Sequence, residues 1–262
     1  MIGNDPRGIV VQERDRHLLR ELSILRVVDR EQAKIVAGFR STTRVNSRLL
    51  ALTRAGFLRR FFLGTSGGGQ KALYALSSEG AQIVDVPYRG PRRRRDEVLA
   101  AGVFVAHQLS INEIYCTLKY QPAPNENIRF VRWLSFFEPL QQGFSLIPDG
   151  YVEVLHPSSA LAAFLEIDLG SEGRKVWKEK VKEYLRYALS GFFEGRFGQQ
   201  RFRILVIATS ERRLQSIRAV VATATEKIFW FATIESIRRD GLWSPIWLRP
   251  RDDERQSLVP LP

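Results

Sequence analysis

One cysteine, Cys116, in 262 residues leaves no partner for an internal disulfide and no cysteine set for a zinc cluster. A reducing cytoplasm is the expected compartment. The three histidines, His17, His107 and His156, show no metal-ligand spacing. No apolar run approaches the ~18–20 residues that span a bilayer, and the opening MIGNDPRGIVVQERD lacks the layout of a signal peptide. The glycine-rich GTSGGGQ is not followed by Lys-Ser/Thr at the start of a helix, so it does not read as a phosphate-cradling loop. No Ser/His/Asp arrangement is singled out either. Disulfide scaffolds, zinc clusters, membrane spans and P-loop chemistry are thereby set aside.

What the chain does have is positive charge, unevenly placed. Of a net +12, residues 1–95 account for +11, with 19 Lys and Arg against 8 Asp and Glu; the remaining 167 residues hold 21 against 20. A basic module joined to a near-neutral one suits a nucleic-acid-binding element tethered to a domain with another task. A basic membrane-surface patch would need an amphipathic anchor, and none is evident.

The basic third predicts three short helices and a hairpin. QERDRHLLRELSILRVV carries apolar residues at 18, 19, 22, 25 and 28, one helical face. Asp29 is the expected N-cap of a second helix ending near Gly38, and Ser41 that of a third, STTRVNSRLLALTRAG, stopped by Gly56. FLRRFFL and KALYAL then flank GTSGGGQ as two strands. This is the pattern of a winged helix-turn-helix over residues 1–87. Its third helix is the expected recognition helix, with Thr42, Thr43, Arg44, Asn46, Ser47 and Arg48 able to bond bases and phosphates of double-stranded DNA. Arg59, Arg60 and Lys71 flank the wing, where phosphate contact is expected. SSEGAQIVDV predicts a short closing helix, and the arginine run Arg92 to Arg95 in PYRGPRRRRDE reads as a basic linker over 88–96.

Residues 97–248 predict a helix, three strands, then helix, strand, helix, strand, with the later strands parallel: a mixed, three-layer α/β domain. The tail, 249–262, is charged and proline-containing, and is expected to be loosely ordered. In LAAFLEID, Ala162, Phe164, Glu166 and Asp168 share one strand face, with both acids at its C-terminal end. Asp149, in the turn PDG, opens the preceding strand, where an antiparallel partner would bring it beside Glu166. Three such carboxylates would suit Mg²⁺ or Mn²⁺. On the following helix Lys180 and Tyr184 are spaced i, i+4; Lys180 could stabilise charge on a phosphate, and Tyr184 is a candidate nucleophile. Glu113, on the helix before the strands, is a further candidate acid. Acids at strand ends and lysines on a wet helix face are the plainer explanation of the same residues.

The ordered segments RDRHLLREL, RLLALTRAGFLRR, YALSSEG, HQLSINEIY, IPDGY, FLEIDLGSE and KVKEYLRY resemble the replication-relaxation family of plasmids and other mobile elements, across most of residues 10–235. That family joins a winged helix to a domain resembling the PD-(D/E)XK, restriction-endonuclease-like fold, and one branch includes plasmid mobilisation relaxases. The resemblance implies that Asp149 is the PD aspartate and Glu166 the acid of the (D/E)XK strand. Position 168, where that motif has lysine, is Asp. Either Lys180 replaces the absent cation, or Asp168 adds a metal ligand, or the fold is kept for binding without cleavage. Two functions are therefore expected: a DNA-binding protein with a metal-dependent nicking or cutting domain, or a non-catalytic replication or transcription factor whose second domain docks another copy of the chain (a homodimer) or replication and mobilisation proteins.

Overall fold

The computed structural model describes residues 9–64, 68–88, 98–156 and 159–259. It is a mixed α/β protein with two sheets, and it divides into two compact units, Met1–Tyr120 and Gln121–Pro262.

The first unit opens with α1 (Glu13–Leu25), whose Leu18, Leu19, Leu22 and Leu25 are buried on one face. Arg26 then turns the chain with a positive φ of 64°, which ends the helix and starts the short strand β1 (Val27–Asp29). The Asp29 side chain accepts from Gln32 N at 2.8 Å and caps α2 (Arg30–Val36); such a cap contributes about 1 kcal/mol. Ser41 caps α3 (Thr42–Arg54), which buries Val45, Leu49 and Leu52. Gly56, at φ 82°, supplies the left-handed turn that releases the chain into β2 (Leu58–Gly64). β2 returns as β3 (Gln70–Leu76), then α4 (Ser78–Ile83). The sheet order is β1-β3-β2, antiparallel throughout.

The long helix α5 (Val98–Tyr120) belongs to this first unit. The sequence reading placed it with the second domain, across a linker at 88–96. It is fastened to the first unit by polar contacts that apolar periodicity does not reveal. Asn112 Nδ2 donates to the Leu25 and Val27 carbonyls at 3.1 and 2.5 Å, and Gln32 Nε2 donates to the Leu109 carbonyl at 2.8 Å. Glu21 on α1 receives Tyr115 Oη at 2.5 Å and Lys119 Nζ at 2.7 Å. The Arg92–Arg95 run lies outside the described residues. Cys116 is buried on α5, and burial pushes its thiol up to about 12, so it is chemically quiet.

The second unit is a five-stranded mixed sheet in the order β4-β5-β6-β7-β8, with β4 (Arg129–Leu134), β5 (Gly150–His156), β6 (Ser159–Asp168), β7 (Arg203–Ala208) and β8 (Phe229–Thr233). β4, β5 and β6 form an antiparallel meander; β6, β7 and β8 run parallel, as the alternation with helices requires. The crossovers are α6 (Arg174–Leu189) with α7 (Phe192–Phe197), and α8 (Glu211–Ala222); α9 (Ile234–Asp240) follows β8. Trp177, Val181, Tyr184 and Tyr187 of α6, Phe193 and Phe197 of α7, and Leu214 and Ile217 of α8 pack with Phe164, Val206 and Phe231 of the sheet in one core. These helices therefore cover the sheet face on which Glu166 and Asp168 lie.

Residues 249–259 are tied down rather than loosely ordered, and 260–262 lie outside the described residues. Arg218 donates to the Arg249 and Asp252 carbonyls at 2.7 and 2.9 Å, Gln256 bridges to Trp247, and Leu258 and Val259 are buried. Among the described residues no helix is long and apolar enough to cross a membrane.

Candidate functional site

Two groups of side chains carry the chemistry, one in each unit. In the first, α3 turns Thr43, Arg44 and Ser47 to solvent, while Thr42 and Asn46 are half-buried. Arg44 and Arg54 have no ion-pair partner among the described residues. Arg48 is different. Its Nε donates to Asp15 Oδ1 at 2.8 Å, its Nη2 to the Val10 carbonyl at 2.6 Å, and a second ion-pair contact reaches Asp15 Oδ2. Asp15 is buried, so Arg48 clamps α3 onto the start of α1 and is not offered to a groove. On the hairpin Arg59 is exposed beside the Tyr88 hydroxyl, Arg60 lies over the Phe62 ring at 4.6 Å, and Lys71 is paired with Asp29.

In the second unit, register places the acids. β5 and β6 pair Tyr151 with Phe164 and Gly150 with Leu165, and the Asp149 N–H continues the ladder to the Leu165 carbonyl at 3.0 Å. One residue further along that register stands Glu166. Gly150 must lack a side chain, because a Cβ there would meet the Trp133 ring at 2.3 Å. Asp149 Oδ2 accepts from the Ile167 N–H at 2.6 Å, which pins its carboxylate across the two strands. Glu166 is only 1% exposed. Its two oxygens receive Lys180 Nζ at 2.8 Å and Tyr184 Oη at 2.5 Å, delivered by successive turns of α6. Lys180 also meets Glu172 Oε1 at 2.7 Å and lies over the Trp177 ring at 5.2 Å.

Asp168 is engaged by protein donors at both oxygens. Its Oδ1 and Oδ2 receive Arg213 Nε and Nη2 at 2.6 and 2.7 Å, Trp177 Nε1 donates at 2.8 Å and Gly170 N at 2.7 Å. The parallel pairing of Asp168 with Ala208, followed at once by the Ser210 cap of α8, is what brings Arg213 in the first turn of that helix to the neighbouring strand end.

Burial pushes the Glu166 carboxyl up to about 7; the Asp149 charge adds to this, while Lys180 and Tyr184 oppose it. Burial alone would lower Lys180, yet Glu166 and Glu172 outweigh it and hold the ammonium charged. Burial would also raise Asp168, but Arg213, Trp177 and Gly170 keep it below the usual carboxylate range. Tyr184 is raised well above the ordinary phenol value by burial and by Glu166. Fully buried and donating to Glu166, its hydroxyl has no approach to a phosphodiester, so its place is that of a donor to the acid and not of a nucleophile.

Among the described residues, no group of three or more His, Cys, Asp or Glu is set to hold a metal. With Asp168 engaged by arginine, Asp149 and Glu166 remain as a two-carboxylate set. Mg²⁺ and Mn²⁺ accept one or two carboxylates when phosphate oxygens and waters complete the shell, but both Glu166 oxygens are met by Lys180 and Tyr184, so a cation arriving with a phosphate would have to displace one of these donors. Glu113 lies on α5, in the first unit. Sequence reasoning missed Trp177, Glu172 and Arg213. An available signal was Trp177, spaced i, i+3 before Lys180, since a buried indole N–H needs an acceptor.

The replication-relaxation family model matches residues 18–200, from α1 to the approach of β7. The chain belongs to the replication-relaxation family. The match takes in Asp149, Glu166, Asp168, Lys180 and Tyr184, and stops short of Arg213. No curated protein and no solved structure matches the chain.

Proposed function

We propose that this replication-relaxation protein grips double-stranded DNA with a winged-helix first unit and acts in the replication or mobilisation of a plasmid or other mobile element. Its second unit, in this reading, is a PD-(D/E)XK-like domain that nicks or cuts DNA with Mg²⁺ or Mn²⁺. Asp149 and Glu166 would hold the cation, and Lys180 would supply positive charge beside it. The observation that carries the reading is the Lys180 ammonium 2.8 Å from Glu166, although strand position 168 holds an aspartate. In this reading a lysine from α6 takes the part of the absent strand lysine. A bound cation would lower the pKa of its water and stabilise the leaving oxygen; the protein's own part is to orient the acids and fix the compensating ammonium. DNA binding is supported by the basic excess of residues 1–95 and by the exposed Thr43, Arg44 and Ser47 on α3.

The test is supercoiled plasmid incubated with the protein and Mg²⁺ or Mn²⁺. Nicked or linear product is expected from the parent and lost in Glu166→Gln and Lys180→Ala, with DNA mobility shift retained. Cleavage indifferent to Glu166→Gln would remove the site. The non-catalytic reading is favoured by one observation: both oxygens of Glu166 are engaged, and it is almost wholly buried. Metal-independent DNA binding with no cleavage under any condition would select it, leaving the second unit to dock a second copy or a replication or mobilisation protein.

A further inference from the structure

We infer that Arg213 and Asp168 are positioning residues that hold Lys180 in place against Glu166. The ammonium sits in a cradle with three walls: the Glu166 carboxylate at 2.8 Å, the Glu172 carboxylate at 2.7 Å and the face of the Trp177 indole at 5.2 Å. Two of these walls are held from behind by one guanidinium. Arg213 grips Asp168 through both fork nitrogens, and Asp168 in turn accepts the Trp177 indole N–H at 2.8 Å, fixing the ring on which Lys180 rests. Arg213 Nη2 also bonds the Glu172 carbonyl, which sets the loop that presents the Glu172 carboxylate. The aspartate at the place of the motif lysine is therefore the anchor of the lysine that stands in for it. A bidentate fork is needed for this, because lysine at 213 could offer charge but not two fixed donors.

The role assigned to Lys180 rests on the proposed cleavage site, but its placement can be read without cleavage. A small acylating reagent is applied to the folded protein, and modification of Lys180 is followed by peptide mass spectrometry against Lys175, Lys178 and Lys182. Those three are exposed on the same helix and serve as internal standards. Asp168→Asn, and the charge-neutral double variant Asp168→Asn/Arg213→Gln, are expected to speed Lys180 labelling about tenfold, as loss of hydrogen bonds to charged groups implies, with the other lysines unchanged. Arg213→Lys is expected to do the same to a smaller extent. The double variant leaves no buried charge unpaired, so a cooperative melt is expected to survive in it. Lys180 remaining as protected as in the parent overturns the inference. So does a uniform rise at all four lysines, which would mean that α6 had merely loosened. Released Lys180 in a protein that never cuts DNA would support the positioning role while removing the nuclease reading. If the parent does cut, the same variants are expected to lower turnover while leaving DNA affinity unchanged.

Discussion

Arg44 and Arg54 on α3 have no ion-pair partner among the described residues, and Arg59 is exposed nearby in the chain, whereas Glu166 and Asp168 in the second unit are nearly inaccessible and each is met by more than one donor. These three arginines of the first unit lie where water and salt reach them. Such charges add little to stability and are free to attract a polyanion. The second unit takes its charges into the helix–sheet interface, where each is tolerable only with its partner present. In the proposed reading the first set of charges is neutralised from outside; the second is neutralised already within the fold. Arg48 with Asp15, and Glu21 with Tyr115 and Lys119, depart from this within the first unit; Arg48 looks like a groove residue in the sequence but behaves like the buried pairs.

Removing single charges is the way to break this comparison. The largest effect is expected from Arg213→Ala, which strands the buried Asp168; destabilisation of about 3–5 kcal/mol should appear in denaturant unfolding. Arg48→Ala comes next, with about 2–3 kcal/mol lost because buried Asp15 keeps only the Gln12 N–H and loses its ion-pair partner; a loss within ~0.5 kcal/mol would return Arg48 to the proposed DNA-facing set. Third is a pH effect. Glu166 has a folded pKa near 7 through burial, above its ordinary 4.5. Its contribution to stability is present in full below the ordinary value and is lost as pH rises through 7, the reverse of Asp168, whose lowered pKa gives stability that is lost as pH falls. Glu166→Gln should therefore gain on the parent between pH 5 and 8, on the order of 2 kcal/mol in paired melts. A constant difference across that range would mean Glu166 titrates normally. The smallest change in stability, within ~0.5 kcal/mol, is expected for Arg44→Ala. Its effect belongs to DNA binding, where the slope of log affinity against log salt should fall by about 1.

Much of this was legible from residue order. The caps Asp29 and Ser41, the stop at Gly56 and the alternation in β6 are local signals, and the elements stand where those signals put them. β1 was not legible. Val28 fits the helical spacing set by Leu22 and Leu25, and only the positive φ at Arg26 takes it out of α1 and into the sheet. α7 was missed for a related reason: it is a single turn or so between Gly191 and Gly198, both in the left-handed region. For the site, period-two alternation put Glu166 and Asp168 on one face, and helical spacing put Lys180 and Tyr184 together, both local inferences. Asp168 was expected to hold a metal ion; the positive group that meets it in the fold is the guanidinium of Arg213, 45 residues away in the chain. No local pattern encodes that contact. It follows from the parallel register of β6 with β7, a property of the assembled sheet.

The bare backbone at Gly150 has a consequence for genetics. Any larger residue there must displace an indole that already occupies the space, and the strand start that orients Asp149 would move with it. A screen for lost function should therefore recover Gly150 as readily as the acid beside it, with every charged group of the second unit left intact.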